Sequence, residues 1–453
     1  MKPRFVNCDR NTLFLMPPSV QDWLPDNHLA RFVVDIVSRL DISALENAYA
    51  GRGSEAYPPS MLLSLLFYSY ATGVFSSRRI EKETYDSVAF RFIAANTHPD
   101  HDTIATFRKR FISKLKPLFV QILVIAREMG VMKLGKVSLD GTKVKANASR
   151  HHALSWQHAC RLEKQLKDEI KALLRKAEKA DQEDLPEGMS IPEELARRED
   201  RLDAIASAKA EIQRRAAERF AKEQDAYQEK LEKRKAKQKK TGKKPGGRKP
   251  KPPEPGPKKK DQVNLTDKDS RIMPVSGGGF EQTYNAQAAV DVDSMLIVEN
   301  HITQQSNDKR EIAPAVDNLS TLPESIGTVD SLVADTGYFS RDNVIRCEGS
   351  NIVPYIAFER QQHNVPIEDR FTEPDPLSEP GDPVTEMMHR LKTLAGKALY
   401  AKRKSTVETV FGIIKAAMGF RQFMLRGLQS VAREWDLTCI AYNIRRLYAL
   451  APQ

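Results

Sequence analysis

The chain has 453 residues, a length that calls for two or three domains rather than one core. Its 40% hydrophobic and 29% charged residues are those of a soluble globular protein, and apolar runs such as Met61 to Phe67 fall far short of a bilayer span, so no transmembrane helix is expected. The net charge of +11 points to a polyanionic partner, but fifteen Lys or Arg against two Glu between Lys230 and Lys260 give a local +13 and leave the remainder at −2, so the basicity belongs to one segment.

Residues 10 to 130 read as helical. A helix starts at Pro58-Pro59, carries Met61, Leu62, Leu65, Leu66 and Tyr70 at helical spacing, and ends at Gly73. Shorter helices follow over about 77–85 and 87–95. Asp102 is expected to cap a long helix bearing Phe107, Phe111, Leu115 and Phe119. Arg78, Arg79, Arg108, Lys109 and Arg110 on polar faces suit a helix-turn-helix-like DNA module or an ordinary solvated all-α surface. Val137-Ser138-Leu139-Asp140 reads as a strand that kinks at Gly141 and continues. Leu162, Leu166, Ile170 and Leu173, then Leu202, Ile205, Ile212 and Phe220, predict a helical hairpin, with Pro186-Glu187-Gly188 and Pro192 in its turn. Strands return at 284–292 and 295–300 around an Asp293-Ser294 turn. A helix near 310–319, a strand at 331–335 with a Gly337 turn, a helix near 341–347 and a strand at 352–358 come next. A Pro-rich loop from His363 to Pro383 precedes helices over about 401–418 and 430–450.

This order is that of a mixed α/β sheet of the ribonuclease-H-like kind, with an all-α amino-terminal domain and an inserted helical hairpin. The expected boundaries are 1–132 for the all-α domain, 133–150 and 262–453 for the α/β domain, 151–235 for the hairpin, and 236–261 for a Lys/Pro/Gly-rich disordered linker. The amino terminus lacks the apolar core and cleavage site of a signal peptide, so a cytoplasmic protein is expected. Cys8, Cys160, Cys347 and Cys439 are widely spaced with no CxxC pair, which argues against a zinc site or a disulfide framework.

Asp140 and Asp335 each follow a short apolar strand, where α/β sheets place ligands, and would be neighbours if the two strands are parallel and adjacent. On the helix near Ala401, Val407, Val410, Ile414 and Met418 form an apolar stripe while Lys404, Glu408 and Lys415 share another face, with Gly412 leaving that flank open. Converging carboxylates suit two divalent cations held about 4 Å apart for phosphodiester cleavage. Taken singly, each acid also reads as a turn residue or a solvated helix face.

The motifs Tyr57-Pro58-Pro59, Pro99-Asp100-His101-Asp102-Thr103, Leu139-Asp140-Gly141-Thr142-Lys143, Tyr284-Asn285-Ala286-Gln287 and Ala334-Asp335-Thr336-Gly337-Tyr338 resemble those of bacterial insertion-sequence DDE transposases. Tyr400, Arg403, Glu408 and Lys415 match that family's carboxy-terminal signature, with the Arg-to-Glu interval one residue longer than its commonest form, so either Arg403 or Lys404 makes the expected phosphate contact. The resemblance implies that Asp140, Asp335 and Glu408 are catalytic and bind two Mg²⁺ or Mn²⁺ ions per site, and that Tyr400, Arg403, Lys404 and Lys415 contact DNA. It further implies double-stranded DNA partners (insertion-sequence ends and target), a homodimer in the DNA complex, no membrane partner, and work at the bacterial nucleoid. The hairpin is expected to pair protomers or clamp DNA. The competing functions are a nuclease of the same fold without strand transfer, a catalytically silent DNA-binding protein, and a helical scaffold, which leaves the strand-terminal acids unexplained.

Overall fold

A computed structural model describes residues 19–49, 56–180, 191–242, 246–275, 277–359, 372–377 and 381–451. The chain forms two compact units, one of residues 1–144 with 284–453, the other of residues 145–283. Among the described residues no helix is long and apolar enough to cross a membrane.

The first unit opens with α1 (Leu29–Ser38), α2 (Ser43–Glu46), α3 (Pro59–Ala71), α4 (Ser77–Asp86), α5 (Val88–Ile93), α6 (His101–Phe111) and α7 (Leu115–Glu128). Helix α3 starts on proline, whose missing N–H costs nothing there, and its residues from Leu62 to Ala71 are all buried. The α6 cap differs from expectation. Asp100, not Asp102, accepts the Thr103 N–H at 2.7 Å, and Asp102 lies in the first turn beside the positive end of the helix dipole. The single long helix is also interrupted, by a 3₁₀ turn over Ile112–Lys114, because Pro117 has no N–H to give to the carbonyl of Ser113.

Strand β1 (Leu134–Lys145) leads into the second unit. There β2 (Ala153–Ser155) precedes α8 (Trp156–Ala180) and α9 (Ile191–Thr241), and β3 (Gln262–Asn264) returns antiparallel to β2. Leu166, Ile205 and Ile212 pack with Leu154, Ala159, Ala208 and Val263 in one apolar cluster, the predicted stripes of a helical hairpin. Two expectations change here. Pro192 lies in the first turn of α9, where proline is tolerated, and α9 continues to Thr241, into the tract expected to be disordered, because Lys, Ala and Gln are good helix formers. Pro186-Glu187-Gly188 and much of the loop from His363 to Pro383 lie outside the described residues. Strand β4 (Arg271–Pro274) pairs antiparallel with the start of β5 (Phe280–Asp291), which carries the chain back into the first unit.

In the first unit β6 (Ile297–Thr303), β7 (Gly327–Ala334) and β8 (Val353–Ile356) complete a sheet of order β6-β5-β1-β7-β8. β7 runs parallel to β1 and β8 parallel to β7, while β6 is antiparallel to β5. This is a ribonuclease-H-like mixed sheet, flanked by α10 (Ile312–Ser320), α11 (Arg341–Gly349), α12 (Pro383–Lys392), α13 (Leu394–Ser405), α14 (Val407–Gly412) and α15 (Leu428–Leu450). The β5–β6 turn is longer than the two residues expected, because Asp291 accepts both the Ser294 N–H and its hydroxyl and Met295 takes a left-handed φ of 61°. The helix expected from Ala401 is in pieces. It begins at Leu394, breaks at Thr406, whose hydroxyl hydrogen-bonds the Lys402 and Arg403 carbonyls, and ends in a π turn over Ile413–Ala417.

Helix α15 fastens the unit together. The Trp435 indole donates to the Gln287 carbonyl at 3.0 Å, Asn443 exchanges two hydrogen bonds with the Ile297 backbone, and buried Glu434 accepts from the Tyr70 hydroxyl of α3 at 2.9 Å. On β6, His301 lies between Glu299 (2.9 Å) and Glu311 (3.1 Å). Burial alone would lower its pKa, but the two carboxylates raise it to about 9. A folded-state pKa above the ordinary value stabilises the fold fully below about pH 6.5 and loses that contribution as pH rises through 9. Urea unfolding should therefore show stability falling by up to about 3 kcal/mol between pH 6.5 and 10, and His301→Gln should flatten that dependence; an unchanged slope in the variant would contradict the assignment.

Candidate active site

The site is built on the parallel pairing of β1 and β7. Leu139 is registered with Ala334, so the next residues, Asp140 and Asp335, emerge side by side. Asp335 leaves the sheet as predicted, its carboxylate accepting the Gly337 N–H at 2.8 Å and so capping a 3₁₀ turn over Thr336–Tyr338. Asp140 does not end its strand, since β1 runs on to Lys145; only the pairing with β7 stops at Leu139.

Gly141 is what allows that continuation. A Cβ there would stand 2.1 Å from Gln287 Nε2, 2.7 Å from Asp308 Oδ1 and 2.9 Å from Asn285 Oδ1. Those three side chains form a network that sequence reasoning only half found. Asn285 and Gln287, two apart on buried β5 and therefore on one face, donate to Asp308 Oδ1 at 2.6 and 2.7 Å, with the Lys143 ammonium 3.5 Å away. The other end of the Gln287 amide accepts the Tyr338 hydroxyl, from the turn that follows Asp335. One amide thus links the chain beside Asp140 to the chain beside Asp335. Two buried amides on alternate positions of a strand demand partners, a signal readable in the sequence, but nothing local marks Asp308 as the acid that meets them.

Asp140 is nearly buried. Its carboxyl accepts the Gly141 N–H at 2.8 Å and an Arg403 N–H at 3.3 Å. Burial, with Asp335 and Asp308 close by, pushes its pKa up to about 7 against the pull of that N–H and of Arg403. Glu408 stands in the first turn of α14, half exposed, and binds the same guanidinium at 2.8 Å. Arg403 therefore bridges Asp140 and Glu408, and among the described residues no three His, Cys, Asp or Glu side chains converge closely enough to hold an ion together. The donor set is nonetheless carboxylate oxygen, the ligand type a hard divalent cation takes, and the burial that raises Asp140, with Asp335 and Asp308 adding to it, disfavours an unpaired carboxylate there.

The remaining predicted residues divide into near and far. Tyr400 lies within electrostatic reach of Arg403, Asp335 and Asp140, and burial raises its hydroxyl pKa. Arg403 faces the acids, whereas Lys404 is exposed. Lys415, on the π turn, reaches across to β1, where its ammonium donates to the Thr142 hydroxyl and to the Lys143 carbonyl at 3.0 Å. Burial and Lys143 lower its pKa. The apolar side of this helix is as predicted, with Val407, Val410, Ile414 and Met418 buried.

The fold alone does not fix an activity, which has to be read from the site and from the family. Residues 18–110 match the model of a transposase domain (DUF772) and residues 256–444 that of the transposase DDE domain, together more than half of the chain. The chain belongs to the DDE transposases. No curated protein and no solved structure gives a match. Strand β1 and Asp140 fall between the two matched stretches, so the placement of Asp140 beside Asp335 comes from the strand register alone.

Two glycines make a test of the packing. Gly141→Ala should lower stability by about 1–3 kcal/mol, the usual effect of overpacking, whereas Gly412→Ala, where a Cβ meets nothing within 4 Å, should be neutral or mildly stabilising. Thermal unfolding of both variants decides this, and equal midpoints would refute it.

Proposed function

We propose that this transposase cuts and rejoins the DNA ends of its own insertion sequence at a site made by Asp140, Asp335 and Glu408. The observation that supports this most is the register that brings Asp140 and Asp335 out together, with Arg403 tying Glu408 to Asp140. On this reading the three acids hold two Mg²⁺ or Mn²⁺ ions. When bound, the ions activate the attacking oxygen and stabilise the leaving oxygen in an in-line displacement. Asp335, fixed by the Gly337 N–H, and Asp140, fixed by the Gly141 N–H, present preset oxygen donors. Arg403 neutralises two acids that would otherwise repel each other, and its planar fork suits a phosphate as well as a carboxylate. Tyr400, Arg403, Lys404 and Lys415 then contact the DNA backbone around the scissile bond. Attack by water, followed by attack by the freed 3′-hydroxyl, needs no covalent enzyme intermediate. Holding two element ends calls for a homodimer on double-stranded DNA, acting at the nucleoid in the cytoplasm.

The test incubates the wild type and Asp335→Ala with a labelled duplex spanning one element end and a target plasmid, in Mg²⁺, Mn²⁺ or EDTA. Wild type should cut and join only with metal, and the variant should bind the duplex with unchanged affinity in EDTA yet lose cleavage by at least a hundredfold, about 3 kcal/mol of transition-state stabilisation. Cleavage without joining would replace the transposase reading with that of a nuclease, and wild-type cutting by the variant would remove Asp335 from the site.

A further inference from the structure

The basic tract of the second unit is a built arm. Beyond Lys230, α9 carries Lys233, Arg234, Lys235, Lys237, Lys239 and Lys240, and after the helix the chain doubles back along it. Arg234 donates to the carbonyls of Gly247 and Arg248 at 3.5 Å, and Arg219 donates to that of Gly256 at 3.2 Å. Between them Pro250, Pro252 and Pro253 face Ala226, Tyr227 and Lys230 of α9 across a shallow cleft. Asp261 closes the return, its carboxylate accepting the Lys258 N–H at 2.7 Å and pairing with Arg219 at 2.9 Å. Proline suits such a strand, because it is stiff before it docks and leaves no N–H unsatisfied when extended.

This return brings Arg248, Lys249, Lys251, Lys258, Lys259 and Lys260 alongside the cationic end of α9, all six of them exposed. Among the described residues of 230–260, thirteen Lys or Arg stand against Glu232 and Glu254. Ordering like charges side by side opposes folding of the arm, and a polyanion laid against it removes that opposition. Residues 230–241 span about 18 Å of helix, a length over which duplex DNA presents about eleven phosphates at one per 1.7 Å.

We infer that this arm is a DNA-backbone clamp, binding phosphates of a duplex without reading its sequence. The inference rests on the reading of the chain as a DNA-processing enzyme but does not involve its carboxylate site. The probe is a fluorescent 30-base-pair duplex of arbitrary sequence, titrated with full-length protein in EDTA at a series of salt concentrations. The variant replaces Lys235, Lys237, Lys239 and Lys240 with Gln, which keeps helix propensity; circular dichroism and the thermal midpoint confirm an intact fold, and a second variant with Lys249→Gln and Lys251→Gln tests the return strand. The four-Lys variant should bind at least tenfold more weakly, with its slope of log affinity against log salt shallower by about 3, and the second variant should shift both in the same direction by less. Unchanged affinity and slope in both would overturn the clamp, as would single-stranded RNA of equal length displacing the duplex at lower concentration. The Asp335→Ala protein should keep the wild-type slope, so a clamp that fails leaves the catalytic reading standing, and the converse also holds.

Discussion

Parallel hydrogen bonding between β1 and β7 is the constraint on which the site depends. The two aspartates are 195 residues apart in the chain, and nothing local brings them together. Register does, because Val137, Ser138 and Leu139 pair with Leu332, Val333 and Ala334, all six fully buried, so that packing on both faces of the sheet fixes the alignment along with the ladder. The pairing persists against the entropy of closing so long a loop because that entropy grows only slowly with length, and because residues 145–283 of the intervening chain fold as their own unit with its own apolar cluster. Helix α15 fixes the frame around the pair, with Trp435 and Asn443 fastened to β5 and β6 and Glu434 to α3.

Around this frame the chain handles concentrated negative charge with few groups. Arg403 serves two acids from one planar side chain, which a lysine's point charge could not do at the same geometry. The break at Thr406 lets α13 deliver Arg403 and α14 deliver Glu408 to the same place, and the π turn just beyond carries Lys415 back to β1. Irregular helix of this kind recurs at functional sites, where the side chains needed do not share a regular 3.6-residue repeat.

Much of this was legible in the sequence, for definite reasons. The apolar run before Asp140, the apolar strand ending just before Asp335, the stripe Val407, Val410, Ile414 and Met418, and the hairpin stripes of α8 and α9 are patterns that survive into structure. What could not be read depends on contacts between distant segments. Asp308 has no local mark, and it matters because Gly141 of β1 and Asn285 and Gln287 of β5 arrive beside it. The broken helix after Leu394 follows from a threonine hydroxyl competing for backbone carbonyls, which periodicity does not register. The length of α9 shows propensity prevailing over charge, since a Lys-rich run judged by composition is a linker and judged by helix propensity is a helix.

Asp140, Asp335 and Glu408, drawn from three distant segments, are proposed to serve one cation site. Replacing Mg²⁺ with Fe²⁺ and adding hydrogen peroxide, with ascorbate to return Fe³⁺ to Fe²⁺, generates hydroxyl radicals at the bound ion, which cut the nearest backbone. Mapping the fragments of the wild type should give cuts within a few residues of all three acids, and all three should vanish together in Asp140→Asn. Cuts confined to one segment, or a pattern indifferent to that substitution, would mean that the three acids do not share an ion.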